Sequence, residues 1–296
     1  MFATIISSGI LICLVLWIRH IYQNKLSRLF LYFLWSIPAA RLLIFPVVSV
    51  PRRMSLISPI RFFIDKISLY WVLHNENAME FIDIHAFWKS RSIAAVWLSG
   101  MAAVLLYHII SFLFLLRKLK KSRELLKKTY DGNLNIYSSE AVNTPFIFGF
   151  SIYIPPKFLK DETISSLVIS HETSHFLQFD QLWNFVRMTL SVIYWFHPLV
   201  WVAIKKSRED SEYSCDEIMT KYMGADEKRQ YARLLLEIST GMEFKEKYSF
   251  IKADMACSVT SLRIKSLFYE RKKHRIQEIL ISAFLLAVMF LTLNPR

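Results

Sequence analysis

The stretch Val168-Ile-Ser-His171-Glu172-Thr-Ser-His175-Phe-Leu177 decides how this chain is read. Apolar residues flank it, no proline interrupts it, and positions 170, 173, 174 and 176 carry no charge, as suits a helix packed inside a protein. Residues four apart share one face of a helix. His171 and His175 can therefore grip one cation. Glu172 lies one position round. It can take a proton from a water that the cation polarises, without being a ligand itself. This is the division of labour in the His-Glu-x-x-His pattern. The five residues alone also describe a helix with two surface histidines, so the surroundings must discriminate.

Upstream, Asp161 can cap this helix, with Glu162 in its first turn. Leu134–Ser138 and Phe146–Ile154 have strand-like content. Gly149 marks a bulge in the second, and Pro155 and Pro156 end it. The segment around the motif thus reads as α+β.

Downstream, a catalytic zinc needs a third protein ligand and one open position. The candidate is Glu212, in Arg208-Glu-Asp-Ser-Glu212-Tyr-Ser-Cys-Asp216-Glu217. Glu212 can ligate while Asp216, on the same helical face, accepts the N–H of a ligating histidine. Glu209, Asp210 and Glu217 read as a solvated acidic face. Tyr213 and His197 are candidates for stabilising an oxyanion. One set of three ligands implies one Zn2+ per chain.

The rest of the chain argues for a membrane. Hydrophobic residues make up 54% of the 296, and only 6 are glycine. That excludes a disordered chain. The three cysteines, Cys13, Cys215 and Cys257, form no readable disulfide framework. A net charge of +13 could serve nucleic acid or an anionic membrane surface. Its placement favours the membrane. Arg117, Lys118, Lys120, Lys121 and Arg123 follow one apolar run, and Arg271, Lys272, Lys273 and Arg275 precede another. Such clusters orient membrane proteins with the basic side inside. Direct nucleic-acid binding is not expected.

Four stretches approach the roughly 20 apolar residues that cross a bilayer. They are Phe2–Ile18, Leu29–Val50 with Pro38 and Arg41, Ile93–Leu116, and Ile279–Leu293. The first lacks a basic leader and a cleavage site, so it is expected to anchor with the N-terminus outside. A further run, Leu182–Ile204, holds Asn184, Arg187, His197 and Pro198, which are costly against lipid. If it crossed, His175 and Glu212 would lie on opposite sides. It is therefore expected to pack within the protein or lie on the bilayer.

The expected architecture is a polytopic α-helical membrane protein with four transmembrane helices and a cytoplasmic α+β zinc protease domain. Residues 1–116 would hold the first three membrane helices, with an external loop at about 51–91. Residues 117–276 would form the cytoplasmic protease domain, and 277–296 the fourth membrane helix and a short external tail.

The chain resembles the M56 peptidases, the membrane metalloprotease module of the β-lactam sensor-transducers of the BlaR and MecR antirepressor type. His-Glu-x-x-His is followed by Asp180 and Asn184, as in that family. Trp195-Phe-His-Pro-Leu-Val-Trp201 is similar to its aromatic-Pro-Leu-Val-Trp string. Glu212-x-x-Cys215-Asp216 resembles its third-ligand helix, and Pro145-Phe-Ile-Phe-Gly149 its Pro-Phe-x-x-Gly stretch. The likeness spans Leu134 to about Leu267, and the four-helix topology extends it. It implies a gluzincin-like zinc metalloendopeptidase of a bacterial cell membrane, with Glu212 as third ligand. Phe146, Ile147, Phe148 and Gly149 would lie on the edge strand that pairs with substrate main chain.

The resemblance also implies partners. They are a protein or peptide substrate such as a cytoplasmic transcriptional repressor, membrane lipid, and a second copy in a homodimer. Self-cleavage is expected at Ser258–Val259, with Arg263–Ile264 as second choice. Two departures stand out. Phe176 to Phe179 lack the basic residues associated with the family there. The chain also stops just after the fourth apolar run, where the full receptors carry a penicillin-binding sensor. Ser249-x-x-Lys252 lacks that sensor's companion motifs, so antibiotic sensing is not expected. The competing readings are a membrane quality-control protease and a non-enzymatic, truncated receptor half. The intact His, Glu and Asp set argues against the second.

Overall fold

The structure, a computed structural model, describes residues 2–43, 91–128, 134–243, 260–269 and 274–293. The N-terminal helix α1 (Phe2–Tyr22) has no acidic residue in its first turn and places Arg19 and His20 in its last. Two short helices follow, α2 (Arg28–Phe33) and α3 (Ser36–Leu43). The second apolar run is thus broken in its described part. The break falls at Leu34–Trp35, where Trp35 donates its indole N–H to Asp210 Oδ2 at 2.8 Å. Pro38 sits in the first turn of α3, where its missing N–H costs nothing. The rest of that run, and residues 51–90 of the expected external loop, lie outside the described residues.

Helix α4 (Arg91–Ser122) runs beyond the expected end of its apolar stretch at Leu116 and carries the basic cluster on its last turns. Leu119, near its end, is the one buried residue in Ala95–Ser122. Among the described residues, two helices, at Ile5–Tyr22 and Ala95–Ser122, are long and apolar enough to cross a membrane. Near the C-terminus, α10 (Arg275–Leu293) exposes Ile276, Ile279, Leu280, Phe284 and Phe290.

A four-stranded sheet follows α4. Its strands are β1 (Arg123–Lys128), β2 (Asn135–Ser139), β3 (Phe146–Phe148) and β4 (Ser151–Ile154), in the order β1-β2-β4-β3. The sequence gives no strand signal for Arg-Glu-Leu-Leu-Lys-Lys; antiparallel pairing with β2 overrides its local preference. The expected single strand Phe146–Ile154 is instead a hairpin. Phe148 pairs with Ser151, leaving Gly149 and Phe150 as a two-residue loop. Gly149 has φ 59°, the positive value that such a loop's first position requires in a type II′ turn. It is a turn, not a bulge.

Asp161 caps α5 (Glu162–Leu177) as the sequence implies, its Oδ1 accepting from Thr163 N at 2.8 Å and Ile164 N at 3.3 Å. The chain then reverses sharply. Phe179 adopts the left-handed conformation, φ 58°, and α6 (Asp180–Ile193) starts at once. Helix α7 (Pro198–Thr220) opens on proline, which is pre-organised for a first helical position. Leu182–Ile204 is therefore two helices with a corner at Tyr194–His197. Helices α8 (Ala225–Glu243) and α9 (260–267) complete the described part.

Two apolar cores result. One gathers Leu11, Ile12, Leu31, Leu42, Leu190, Val200, Ile204 and Leu285 from α1, α2, α3, α6, α7 and α10. The other gathers Ile136, Ile152, Ile154, Phe158, Val168, Tyr231 and Leu235 beside the sheet. Helix α7 enters the first through Val200 and Ile204 and reaches the second through Met219. Glu212 falls between them.

Candidate metal centre

His171 and His175 stand one turn apart on α5, their rings 4.8 Å apart and near perpendicular at 85°. Both turn Nε2 toward Glu212 of α7. His171 Nε2 is 3.7 Å from Glu212 Oε2, and His175 Nε2 is 3.7 Å from Oε1. The three donor atoms all lie within 4.8 Å of one another. Around a tetrahedral zinc with bonds of about 2.0–2.1 Å, neighbouring donors stand about 3.3 Å apart. Both His–Glu gaps are close to that spacing, so the donor set fits a divalent metal of this kind.

Each ring is held from behind. His175 Nδ1 lies 2.5 Å from Asp180 Oδ2. A carboxylate only accepts, so in the neutral ring Nδ1 carries the proton and Nε2 keeps its lone pair for a metal. His171 Nδ1 lies 2.8 Å from the Tyr231 hydroxyl, which donates to Asp216 Oδ1 at 2.7 Å. The hydroxyl has spent its proton, so it accepts from His171, whose Nε2 is likewise free.

This corrects the expected place of Asp216. It supports His171 only through Tyr231, and the carboxylate bound directly to a histidine of the motif is Asp180. The left-handed turn at Phe179 brings Asp180 back to His175. The sequence showed Asp180 at a fixed spacing after the motif but gave no reason to aim it at the ring. Tyr231, on α8, had no signal.

Asp180 also accepts from Ser211 Oγ at 2.6 Å and from the Tyr32 hydroxyl. Burial pushes its carboxyl up, but these hydrogen bonds outweigh burial and hold it below its ordinary range. Burial pulls the other way on His175; Glu212 and Asp180 prevail and hold the imidazole well above its ordinary value. Cys215 Sγ lies 3.2 Å from His175 Nδ1 and takes a hydrogen bond from Gln178 Nε2 at 2.8 Å. His175, Asp180 and Cys215 also cluster closely. Asp180 and Cys215 both sit at the Nδ1 side of His175 and are bound by further donors, so they support the ring.

Glu172 is buried beside the pair, and burial pushes its carboxyl above the usual range against the pull of His171 and His175. Arg263, from α9, closes the other side. Its Nη1 is 2.9 Å from Glu212 Oε2, while Nε and Nη2 each reach Asp216 at 2.8 Å. Against the effect of burial, this guanidinium and the two histidines hold Glu212 well below its ordinary range. The second-choice bond Arg263–Ile264 therefore lies within a helix whose arginine is anchored at the site. Ser258 and Val259 lie outside the described residues.

The remaining expectations divide. Phe146, Ile147 and Phe148 form β3 at one edge of the sheet, packed against α5. Gly149 is clamped to α6: its N–H donates to Gln181 Oε1 and its C=O accepts from Gln181 Nε2, both at 2.8 Å. Tyr213 does not face the donors, since Arg28 lies 4.3 Å over its ring. His197 sits at the start of α7 with Nε2 3.4 Å from Ile5 O. Neither is an oxyanion candidate.

A histidine pair with a facing glutamate is shared by unrelated metalloenzymes, so geometry alone names no family. The model of the BlaR1 peptidase M56 family matches residues 1–267. The chain belongs to that family. It is similar to the regulatory protein BlaR1 of Bacillus licheniformis, 24% identical over 222 residues, which are 64% of this chain and 36% of that protein. It is also similar to the methicillin resistance mecR1 protein of Staphylococcus aureus, at 24% over 166 residues, 50% of this chain and 28% of the relative. BlaR1 of Staphylococcus aureus is 25% identical over 199 residues, 59% of this chain and 34% of its own length. The match thus spans about a third of these relatives' length. The family is by its description one of peptidases.

Proposed function

We propose that this M56 peptidase is an integral-membrane zinc metalloendopeptidase that cleaves itself, a cytoplasmic repressor, or both. The observation that carries the reading is the convergence of His171 Nε2, His175 Nε2 and a Glu212 oxygen from two helices, with Glu172 buried beside them. These three residues would hold the metal. When bound, the metal supplies Lewis acidity toward a water and a scissile carbonyl. Glu172 takes the water's proton and passes it to the leaving nitrogen; its raised affinity for a proton suits both halves of that transfer. Tyr231 and Asp180 keep the two Nε2 lone pairs aimed inward. β3 offers an edge for extended main chain.

In this reading α1, the second apolar run, α4 and α10 form the four-helix membrane part. Residues 117–276 face the cytoplasm, with their basic flanks at the inner surface. The helix containing Arg263 is docked at the site, and in sequence Ser258–Val259 comes immediately before it.

The test is metal analysis and fragment sequencing on membranes carrying the intact chain. Wild type should hold about one zinc per chain and yield fragments. Glu172→Ala should keep the zinc and yield none. His175→Ala should lose both. Fragments that persist in Glu172→Ala would remove the proteolytic reading.

A further inference from the structure

The hydrogen bonds of Asp180 lead out of the metal centre and into the membrane-side helices. Tyr32, on α2, is fully buried and donates to Asp180 Oδ1. The other oxygen of the same carboxylate receives His175 Nδ1. Arg187 holds the Tyr32 hydroxyl from behind, with Nη2 at 3.3 Å, and is itself fixed by Ser207 Oγ at 2.9 Å. Ser211 Oγ shares Oδ2 with His175, while Tyr32 holds Oδ1, so the carboxylate cannot turn toward Tyr32 without loosening its hold on His175.

Helix α2 is also bound to α7 on either side of Glu212. Glu217 caps the start of α2, its Oε2 accepting from Ser27 Oγ at 3.1 Å and from Arg28 N at 2.8 Å. On the other side Asp210 receives Trp35 Nε1 at 2.8 Å, from the residue just after α2, and Arg19 Nε of α1 at 2.7 Å. The short segment between α1 and α3 therefore contacts α7, which bears Glu212, and reaches His175 of α5 through Asp180 at the start of α6.

We propose that α2 couples the membrane-side helices to the metal ligands, with Tyr32 as a positioning residue that sets His175 through Asp180. This rests on His175 being a ligand. A shift of α1 or α2 then changes the aim of His175. Partners behind a ligating histidine commonly govern metal affinity by about 10–100-fold.

The experiment measures zinc affinity of the intact detergent-solubilised chain by chelator competition. Tyr32→Phe keeps the ring and removes only the hydroxyl; affinity should fall about tenfold. Asp180→Asn should weaken binding at least as much. In the Asp180→Asn background, Tyr32→Phe should change nothing further, because its route to His175 is already cut. The visible spectrum of the cobalt-loaded chain should shift in Tyr32→Phe, since ring orientation sets the ligand field. If Tyr32→Phe does not accumulate, Arg187→Lys, which loosens the same hydroxyl, carries the same comparison. Unchanged affinity in Tyr32→Phe, or losses that add fully to those of Asp180→Asn, would overturn the inference alone. A wild-type chain that binds no zinc would overturn the metallopeptidase reading, and the inference with it.

Discussion

Arg263 grips Asp216 with two nitrogens at 2.8 Å while its third lies 2.9 Å from Glu212. One guanidinium thus neutralises a carboxylate that is 1% exposed and steadies a second at the mouth of the site. Arg263→Ala leaves Asp216 charged, buried and half-partnered. Breaking one side of such a pair costs about 3–5 kcal/mol. Denaturation of the solubilised chain should show that loss, and Arg263→Ala with Asp216→Ala should recover part of it. If the double variant loses the full sum of the single losses, the two side chains are not coupled.

The second prediction isolates the His171 arm. Tyr231→Phe removes the hydroxyl that links His171 to Asp216 and keeps the ring that packs in the sheet-side core. His171 then has no acceptor for its Nδ1 proton, and its tautomer is no longer set. Zinc affinity should drop by about tenfold, with little change in helix content. Equal affinity in wild type and variant would show that Asp216 plays no part in holding His171.

The sequence carried the site's chemistry further than its packing. His171 and His175 were legible because helix geometry alone puts them on one face, and Asp161 was legible as a cap because capping is local. Asp216 was misplaced, since four-residue spacing says nothing about the tyrosine standing between it and the ring. Asp180 needed the Phe179 turn, a left-handed conformation on an aromatic residue that no local preference announces. Arg263 entered only as one side of the second-choice cleavage bond, because its partners Glu212 and Asp216 lie far off in sequence. The hairpin at Gly149 was read as a bulge: glycine signals positive φ but not which of the two structures uses it.

Cys215 gives a chemical check on how closed the support of His175 is. The thiol is fully buried, and burial pushes its pKa up to about 12, against hydrogen bonding to His175. The thiolate is the reactive form, so at pH 8 the thiol stays protonated and inert. Maleimide should modify Cys215 only after denaturation, as read by peptide mass mapping. Rapid labelling of the native chain at pH 8 would mean that the α5–α7 contact opens readily.

The last prediction concerns how α4 is held. Most of this helix faces away from the protein, but it meets the protein tightly at Gly100. A Cβ there would meet the Trp195 ring at 2.1, 2.4 and 2.5 Å. The ring cannot simply swing aside. Its Nε1 donates to Trp97 O at 3.2 Å, and Trp97 Nε1 donates to Ile193 O at 3.0 Å, so two indoles lock α4 to the end of α6. Two effects oppose each other in Gly100→Ala. Helix propensity favours alanine by about 1 kcal/mol. Forcing a methyl into an occupied space costs about 1–3 kcal/mol, and displacing the ring also strains both indole hydrogen bonds. The clash should win, so Gly100→Ala should lower the unfolding midpoint and expose the corner at Tyr194–His197 to limited proteolysis. Gly100→Ala combined with Trp195→Leu should lose the clash and regain resistance to the protease, at the expense of the indole contacts. Since neither residue touches the metal donors, zinc content should stay at the wild-type level in both variants. A Gly100→Ala chain that is as stable as wild type and equally resistant would show that α4 does not dock on Trp195.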